Sequence, residues 1–212
     1  MSQTSTFLIE LQYLPPIEYF VAIVQHDVLL VEACENYQKQ TYRNRCYIKG
    51  ANNIQILSIP VEKGSQKKTT KEVKINYSNN WPMQHWRSIQ SAYGKAPFFE
   101  FYAYYLEPVY YQKFTYLFDF NLKLLTICLQ ILQIKTKLEF TADYKRKYPN
   151  KNIKDARSGI LPANRTLSST YSNFDTYQQV FGKQFAQNLS IIDLIFCLGP
   201  EASISLAQCV KN

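Results

Sequence analysis

Glycine and histidine are scarce in this chain: of 212 residues only 6 are glycine and 2 are histidine, His26 and His85. So little glycine leaves few places for a loop that cradles phosphate with bare backbone, and neither GxGxxG nor GxxxxGKS/T occurs. GxSxG and HExxH are missing too, and two histidines cannot build a histidine-rich metal site. Serine-hydrolase, P-loop ATPase and zinc-protease classes are thereby excluded, and no metal or other cofactor is expected. Long apolar runs are also lacking. The longest, around Leu122 to Ile134, is interrupted by Lys123 and Gln130 and is too short to span a bilayer. Met1 to Thr6 is polar and opens without lysine or arginine, so no signal peptide is expected. Cysteine pairs at metal spacing are absent as well: Cys34, Cys46, Cys128, Cys197 and Cys209 are scattered and odd in number. Reduced thiols in a soluble, cytoplasmic protein follow as the expectation.

What is abundant points to one core. Hydrophobic residues make up 46% and aromatics 15%, with 17 Tyr and 13 Phe. That content favours a single mixed α/β domain over residues 1–212 rather than a coiled coil or a disordered chain. The net charge of +8 is unevenly spread. Residues 1–35 hold Glu10, Glu18, Asp27, Glu32 and Glu35 and no lysine or arginine, whereas residues 36–80 hold nine Lys/Arg against Glu62 and Glu72. Such asymmetry permits an acidic pocket beside a cationic surface that attracts anionic ligands. The run Lys67, Lys68, Lys71 and Lys74 fits a solvated hairpin equally well.

Periodicity sets out the elements. Phe7 to Leu11 reads as a strand, closed by Tyr13-Leu14-Pro15-Pro16, and Ile17 to Gln25 as a helix with Ile17, Phe20, Val21 and Val24 on one face. Asp27 to Ala33 is a second strand, so the chain opens with a βαβ unit in a mixed sheet. Cys46 to Lys49, Ile54 to Val61 and Glu72 to Tyr77 are further strands, with Glu62 to Lys71 an exposed hairpin loop. The C-terminal half turns helical. Asn80 caps a helix with Pro82 in its first turn and Trp86, Ile89 and Tyr93 on one stripe, ending at Gly94. Pro97 starts a second, kinked or broken before Pro108, and Asp119 a third. Leu138 to Thr141 adds one more strand. Residues 142–176 are polar and aperiodic, a long loop of the kind that is usually functional or mobile. Ser190 with Asp193 fits a capping box, Gly199 a helix stop and Pro200 the start of a last helix.

The block from Asp27 to Lys49 carries the densest chemistry. An apolar strand runs straight into Glu32, Cys34, Glu35, Asn36, Gln38, Lys39, Arg43, Asn44 and Arg45. α/β proteins build sites from such groups, just outside the carboxyl ends of their strands. Glu32 and Glu35 can serve as general acid and base or grip an amine, or can pair with Lys39 and Arg43. Cys34 is the only thiol among clustered polar groups; it is either a nucleophile or a buried, inert residue. Asn44 and Arg45 suit carboxylate, phosphate or vicinal hydroxyls, and Arg45 suits a structural ion pair as well. His26 is a general base at the strand entry or a polar helix terminus. His85, offset by roughly 100° from the Trp86 stripe, lines a pocket edge or sits as a boundary histidine. Ten aromatics lie between Phe98 and Tyr116, and a core accounts for them.

Four blocks, QYLPPIEYF (Gln12 to Phe20), DVLLVEACENYQKQTYRNRCYI (Asp27 to Ile48), NWPMQHWRSIQSAYGKAPFF (Asn80 to Phe99) and NLSIIDLIF (Asn188 to Phe196), together resemble the WbqC-like family of bacterial proteins. The resemblance covers most of the chain in the family's order. It implies association with bacterial surface-polysaccharide and O-antigen gene sets. The family block of strand, acidic pair, Gln, Lys and Asn-Arg corresponds here to Asp27, Cys34, Asn36, Lys39, Asn44 and Arg45. Tyr13, Pro15 and Tyr19 match the opening motif; Trp86, Tyr93, Pro97 and Asp193 match later ones. Ala33 and Cys34 stand where many relatives have an acidic pair, with acids moved to Glu32 and Glu35, which tells against Cys34 as an obligatory nucleophile.

The expected site therefore lies past the second strand. Glu32, Glu35, Cys34 and His85 are its catalytic candidates, and Gln12, Tyr13, Asn36, Gln38, Lys39, Asn44, Arg45 and Tyr93 its binding candidates. The expected function is an enzyme acting on an activated, nucleotide-linked sugar or similar small anionic metabolite, transferring an acyl or aminoacyl group. The alternative is a non-catalytic protein whose cationic 36–80 region holds an acidic partner or nucleic acid.

Overall fold

Two apolar segments joined by a short helix open the chain, β1 (Thr6–Glu10), α1 (Ile17–Ile23) and β2 (Val28–Glu32). The computed structural model describes residues 4–162, 174–182 and 184–209. The first residues of the polar N-terminal stretch, and positions 163–173 of the expected loop, lie outside that range.

β1 and β2 pair in parallel with Thr6 beside Val28 and Glu10 beside Glu32. Pro15 and Pro16 donate no amide hydrogen, so the β1 strand ends before them and α1 begins directly after. Every residue of α1 is buried, including Glu18, not only the expected stripe. The helix packs against α5 (Ile191–Leu198) and α6 (Glu201–Gln208) as well as serving as the sheet crossover, so it has no solvent face. Glu18 tolerates this position because its carboxylate accepts the Asn188 amide at 3.1 Å.

Two more parallel strands complete the sheet, β5 (Lys137–Phe140) beside β2 and β6 (Ile153–Asp155) beside β1, in the order β5-β2-β1-β6. The antiparallel pair, β3 (Arg45–Lys49) with β4 (Ile54–Ser58), forms a separate two-stranded sheet. The protein is thus a mixed α/β structure with a helical C-terminal half, as its pattern indicates. Strand β6 falls inside the stretch expected to be irregular. With three residues and one neighbour on a sheet edge, it needs no apolar alternation to hold it.

The expected strand at Glu72 to Tyr77 does not form. Thr70–Glu72 is a 3₁₀ turn, and the residues after it divide their backbone hydrogen bonds between two segments, Val73 and Ile75 bonding 115–117 and Lys74 and Asn76 bonding 60–62. Glu62 donates to the Lys74 carbonyl, while Ile75 donates to Thr115 and Leu117 to Val73. No single partner continues long enough to make a ladder. The lysine-bearing loop before it is anchored rather than free: Tyr37 donates to the Lys68 carbonyl at 3.0 Å and Thr70 to the Glu35 carbonyl at 2.9 Å.

Helix α2 (Trp81–Tyr93) follows its pattern closely, with Trp86, Ile89 and Tyr93 buried and Gly94 at its end. α3 (Phe99–Tyr111) runs unbroken through Pro108. The amide missing at Pro108 would have served the Tyr104 carbonyl, and Tyr104 lies on a solvent-facing side of the helix, where the carbonyl is open to hydration. The aromatics there do not all join the core. Tyr110 is buried, but Phe101, Tyr104, Tyr105 and Tyr111 are exposed, between 53% and 75%. α4 (Leu117–Ile131) buries Leu124, Leu125, Cys128 and Leu129 against α3 and α5. Ser190 caps α5 by position only: no side-chain cap bond forms, and the Asp193 carboxylate is taken by Tyr177 and Gln179 instead. All five cysteines are free thiols. Among the described residues no helix is long and apolar enough to cross a membrane.

Candidate functional site

β1 lies between β2 on one side and β6 on the other, so strand order reverses at its carboxyl end. In open parallel sheets this point leaves a crevice between diverging connections, and ligands settle there. A hollow of 730 Å³ opens at this edge. One wall comes from the segment after β2, with Cys34, Glu35, Asn36 and Gln38. The other comes from the segments flanking β6, with Tyr144, Arg146, Asp155, Arg157 and Ser158.

Parallel register sets Glu10 beside Glu32, two carboxylates on neighbouring strand ends. Buried acids side by side are tolerated only when paired or hydrogen-bonded. Each has its own support. Glu10 accepts from the Ser158 amide at 2.8 Å and from Gln12 Nε2 at 2.9 Å, and lies 3.7 Å from the Arg43 guanidinium. Glu32 accepts from the Cys34 amide at 2.9 Å, Thr141 Oγ1 at 2.7 Å and Arg157 Nη1 at 2.9 Å. Glu35 forms a two-pronged pair with Arg43, Nε to Oε1 at 2.6 Å and Nη2 to Oε2 at 2.7 Å. Burial pushes the Glu35 carboxyl above its ordinary value, against the pull of Arg43. Ser158, whose amide holds Glu10, sits at φ 56°, a left-handed conformation that costs a non-glycine residue energy and fixes the turn after β6.

Arg157 ties the walls together. Its Nε and Nη2 grip Asp155 at 2.9 and 2.6 Å, while Nη1 reaches across to Glu32. The rings of Tyr144 and Tyr148 lie 5.0 and 5.3 Å from the guanidinium carbon, within range of cation–π attraction. Hydrogen bonding to Asp155 raises the Arg157 pKa, and the same contact holds the Asp155 carboxyl below the usual carboxylate range. Among the described residues no three His, Cys, Asp or Glu side chains are arranged to hold a metal ion.

The predicted residues divide into two groups. Cys34, Glu35, Asn36 and Gln38 line the hollow, with Glu32 fully buried beneath and Gln12 behind Glu10. The Cys34 thiol points to the Thr141 carbonyl at 3.6 Å. Of the two alternatives for the acids, pairing with Arg43 is what Glu35 does, whereas Glu32 pairs with Arg157 and not with Lys39. Lys39 is exposed and does not line the hollow. Asn44 and Arg45 lie at the base of the β3–β4 hairpin, where Asn44 Nδ2 donates to the Ile59 carbonyl and Arg45 pairs in register with Ser58. Tyr13, His85 and Tyr110 form a buried chain, hydroxyl to Nδ1 at 2.9 Å and hydroxyl to hydroxyl at 3.0 Å, packed among Trp81 and Phe120. Burial there pushes the His85 pKa down to about 4. Tyr93 is likewise buried, against Phe196 and the Lys49 amide. His26 bonds the Ala22 carbonyl at 2.8 Å, a helix-terminus contact.

Sequence reasoning missed Glu10, Thr141, Tyr144, Arg146, Asp155, Arg157 and Ser158. Glu10 gave a weak signal, an acid closing an apolar strand. The others stand after β5 and around β6, and their only signal was the length and polarity of the loop that holds them.

A family model described as the WbqC-like protein family matches residues 12–161, which include every wall of this hollow. The uncharacterized protein Rv1507c of Mycobacterium tuberculosis is 27% identical over 231 aligned positions, covering 95% of this chain and 97% of that protein. No solved structure gives a significant match.

Proposed function

The chain belongs to the WbqC-like protein family, and for this member we propose a ligand site at the carboxyl edge of the parallel sheet that acts on an activated sugar or similar anionic metabolite. The observation that supports it is the convergence, in one solvent-open hollow, of guanidinium, amide, thiol and carboxyl groups at the point where strand order reverses. In this reading Arg146 and Arg157 take the anionic part, in place of Arg45 and Asn44, which serve the hairpin. Asn36 and Gln38 meet hydroxyl groups. Glu35, with its pKa raised by burial, accepts the proton of the attacking hydroxyl or amine as it bonds to the acyl carbon, and returns it to the donor's leaving group as the donor's acyl bond breaks. Cys34 lies within the same hollow as a nucleophile candidate. Nucleotide-linked sugars of the kind consumed in surface-polysaccharide assembly fit these requirements.

Thermal-shift screening of the full chain against nucleotide-linked sugars and acyl donors tests the proposal. A ligand at one hundred times its Kd stabilises by about 2.7 kcal/mol, and the shift should shrink when Asn36 and Gln38 are replaced by alanine. Stabilisation by no member of either class, or stabilisation indifferent to those substitutions, overturns it. Glu35→Gln should retain binding and lose turnover.

One observation favours the alternative, an acidic macromolecular partner: the lysine loop is hydrogen-bonded onto Glu35 and Tyr37 at the rim, with Lys67 and Lys71 exposed. Binding through many phosphates weakens steeply with salt, whereas a recessed metabolite site responds weakly. A steep salt slope, abolished by Lys67→Ala with Lys68→Ala, would select that alternative.

A further inference from the structure

Arg157 has two edges with different occupants. Nη1 faces Glu32, which is fully buried and also held by Thr141 and the Cys34 amide. Nε and Nη2 face Asp155, whose side chain is 34% exposed and lies on a three-residue edge strand. Among the described residues, the hydrogen bonds of the Asp155 carboxylate all come from Arg157, through its amide, Nε and Nη2. One edge is thus fixed in the protein interior, and the other is closed by a carboxylate that water can solvate if it turns away.

The charges around the hollow make that difference matter. Glu10, Glu32, Glu35 and Asp155 are set against the two engaged guanidiniums of Arg43 and Arg157. Arg146 on the rim adds a third cation. A further anion entering this set meets an excess of carboxylate unless one acid leaves. Asp155 is the one with ready solvent access and, among the described residues, no side-chain anchor but Arg157.

We propose that Asp155 is an internal stand-in for the ligand's oxyanion, displaced from the Nε and Nη2 edge of Arg157 when a carboxylate or phosphate binds. The inference rests on the hollow being the ligand site. A planar guanidinium fork receives either group with two parallel hydrogen bonds, as it now receives Asp155. Glu32 and the rings of Tyr144 and Tyr148 hold the guanidinium in place during the exchange. A neutral sugar, unable to replace the charge of Asp155, leaves the fork closed. Asp155 thereby acts as a specificity residue that admits only ligands carrying an oxyanion.

Calorimetric titration of the full chain, with inorganic pyrophosphate, a nucleoside diphosphate sugar, a dicarboxylate and an uncharged sugar as probes, separates the outcomes. Removing the internal competitor raises the fraction of open fork, so Asp155→Asn and Asp155→Ser should tighten oxyanion binding roughly tenfold and leave the uncharged sugar unchanged. Arg157→Lys should weaken it in either background, since an ammonium offers no fork. The phosphate and dicarboxylate arms tell which oxyanion the site prefers. Anion binding in the unaltered chain that is not tightened by either Asp155 substitution overturns the stand-in role while leaving the ligand site intact. Equal tightening of the uncharged sugar overturns it too. Absence of binding by every probe, in the unaltered chain and in both Asp155 variants, removes the ligand site itself and this inference with it.

Discussion

At the residue scale, the buried ions dominate. Arg43 is fully buried and is the only guanidinium within reach of both Glu35 and Glu10 among the described contacts. Removing one partner of a buried pair leaves an uncompensated charge, which costs about 3–5 kcal/mol. Arg43→Met should therefore lower the unfolding free energy by about that amount in urea titration, and adding Glu35→Gln should recover part of it. His85 offers a pH-dependent test. Its folded pKa of about 4 lies below the ordinary 6.5, so between those values the unfolded chain binds a proton that the folded chain refuses. Stability from this group is complete above about pH 6.5 and is lost as pH falls towards 4, by roughly 2–3 kcal/mol at pH 4.5. In His85→Gln that component of the slope should vanish, and an unchanged slope would refute the buried, neutral state. The polar block after β2 was legible in the sequence, because an apolar strand running into clustered ionisable groups is a local signal, and four of its members line the hollow. The sequence did not show that His85, Tyr13 and Tyr93 are buried away from the hollow, because nothing in a linear pattern says whether a polar aromatic meets solvent or another buried hydroxyl.

At the scale of elements, those with strong internal periodicity formed where expected: β1, β2, α2 and β3, with β4 starting at Ile54 but ending at Ser58, short of the expected Val61. Those whose existence depends on a neighbour did not follow the pattern. β6 forms only because β1 offers a free edge, and the 72–77 stretch fails as a strand because its hydrogen bonds are divided between two neighbours. The end of α5 shows how tightly one element can constrain another. Gly199 adopts φ 56°, and a Cβ there would lie 2.5 Å from the Phe98 ring. Gly199→Ala should therefore lower stability by at least about 1 kcal/mol from backbone strain alone, with more from displacing Phe98. A melting temperature indistinguishable from that of the unaltered chain would refute this.

At the scale of the whole molecule, the hollow depends on strand order. The order β5-β2-β1-β6 brings residue 155 beside residue 8 and turns two distant polar segments into the walls of one hollow. A ligand seated there should slow amide exchange in residues 33–38 and 142–158 and leave the exposed face of α3 unaffected, as measured by hydrogen–deuterium exchange. Protection confined to α3 or to the lysine loop would relocate the site.

By itself the sequence determined the class of fold, the opening βαβ unit and the polar block that forms one wall of the hollow, since hydrophobic periodicity and clustered polar groups act over a few residues. Only the tertiary structure decided the other wall, the partners of Glu10, Glu32 and Glu35, and the burial of His85. The reason is that parallel strands exchange hydrogen bonds with segments far away in the chain. Which carboxylate finds which guanidinium is therefore settled by strand order rather than by spacing.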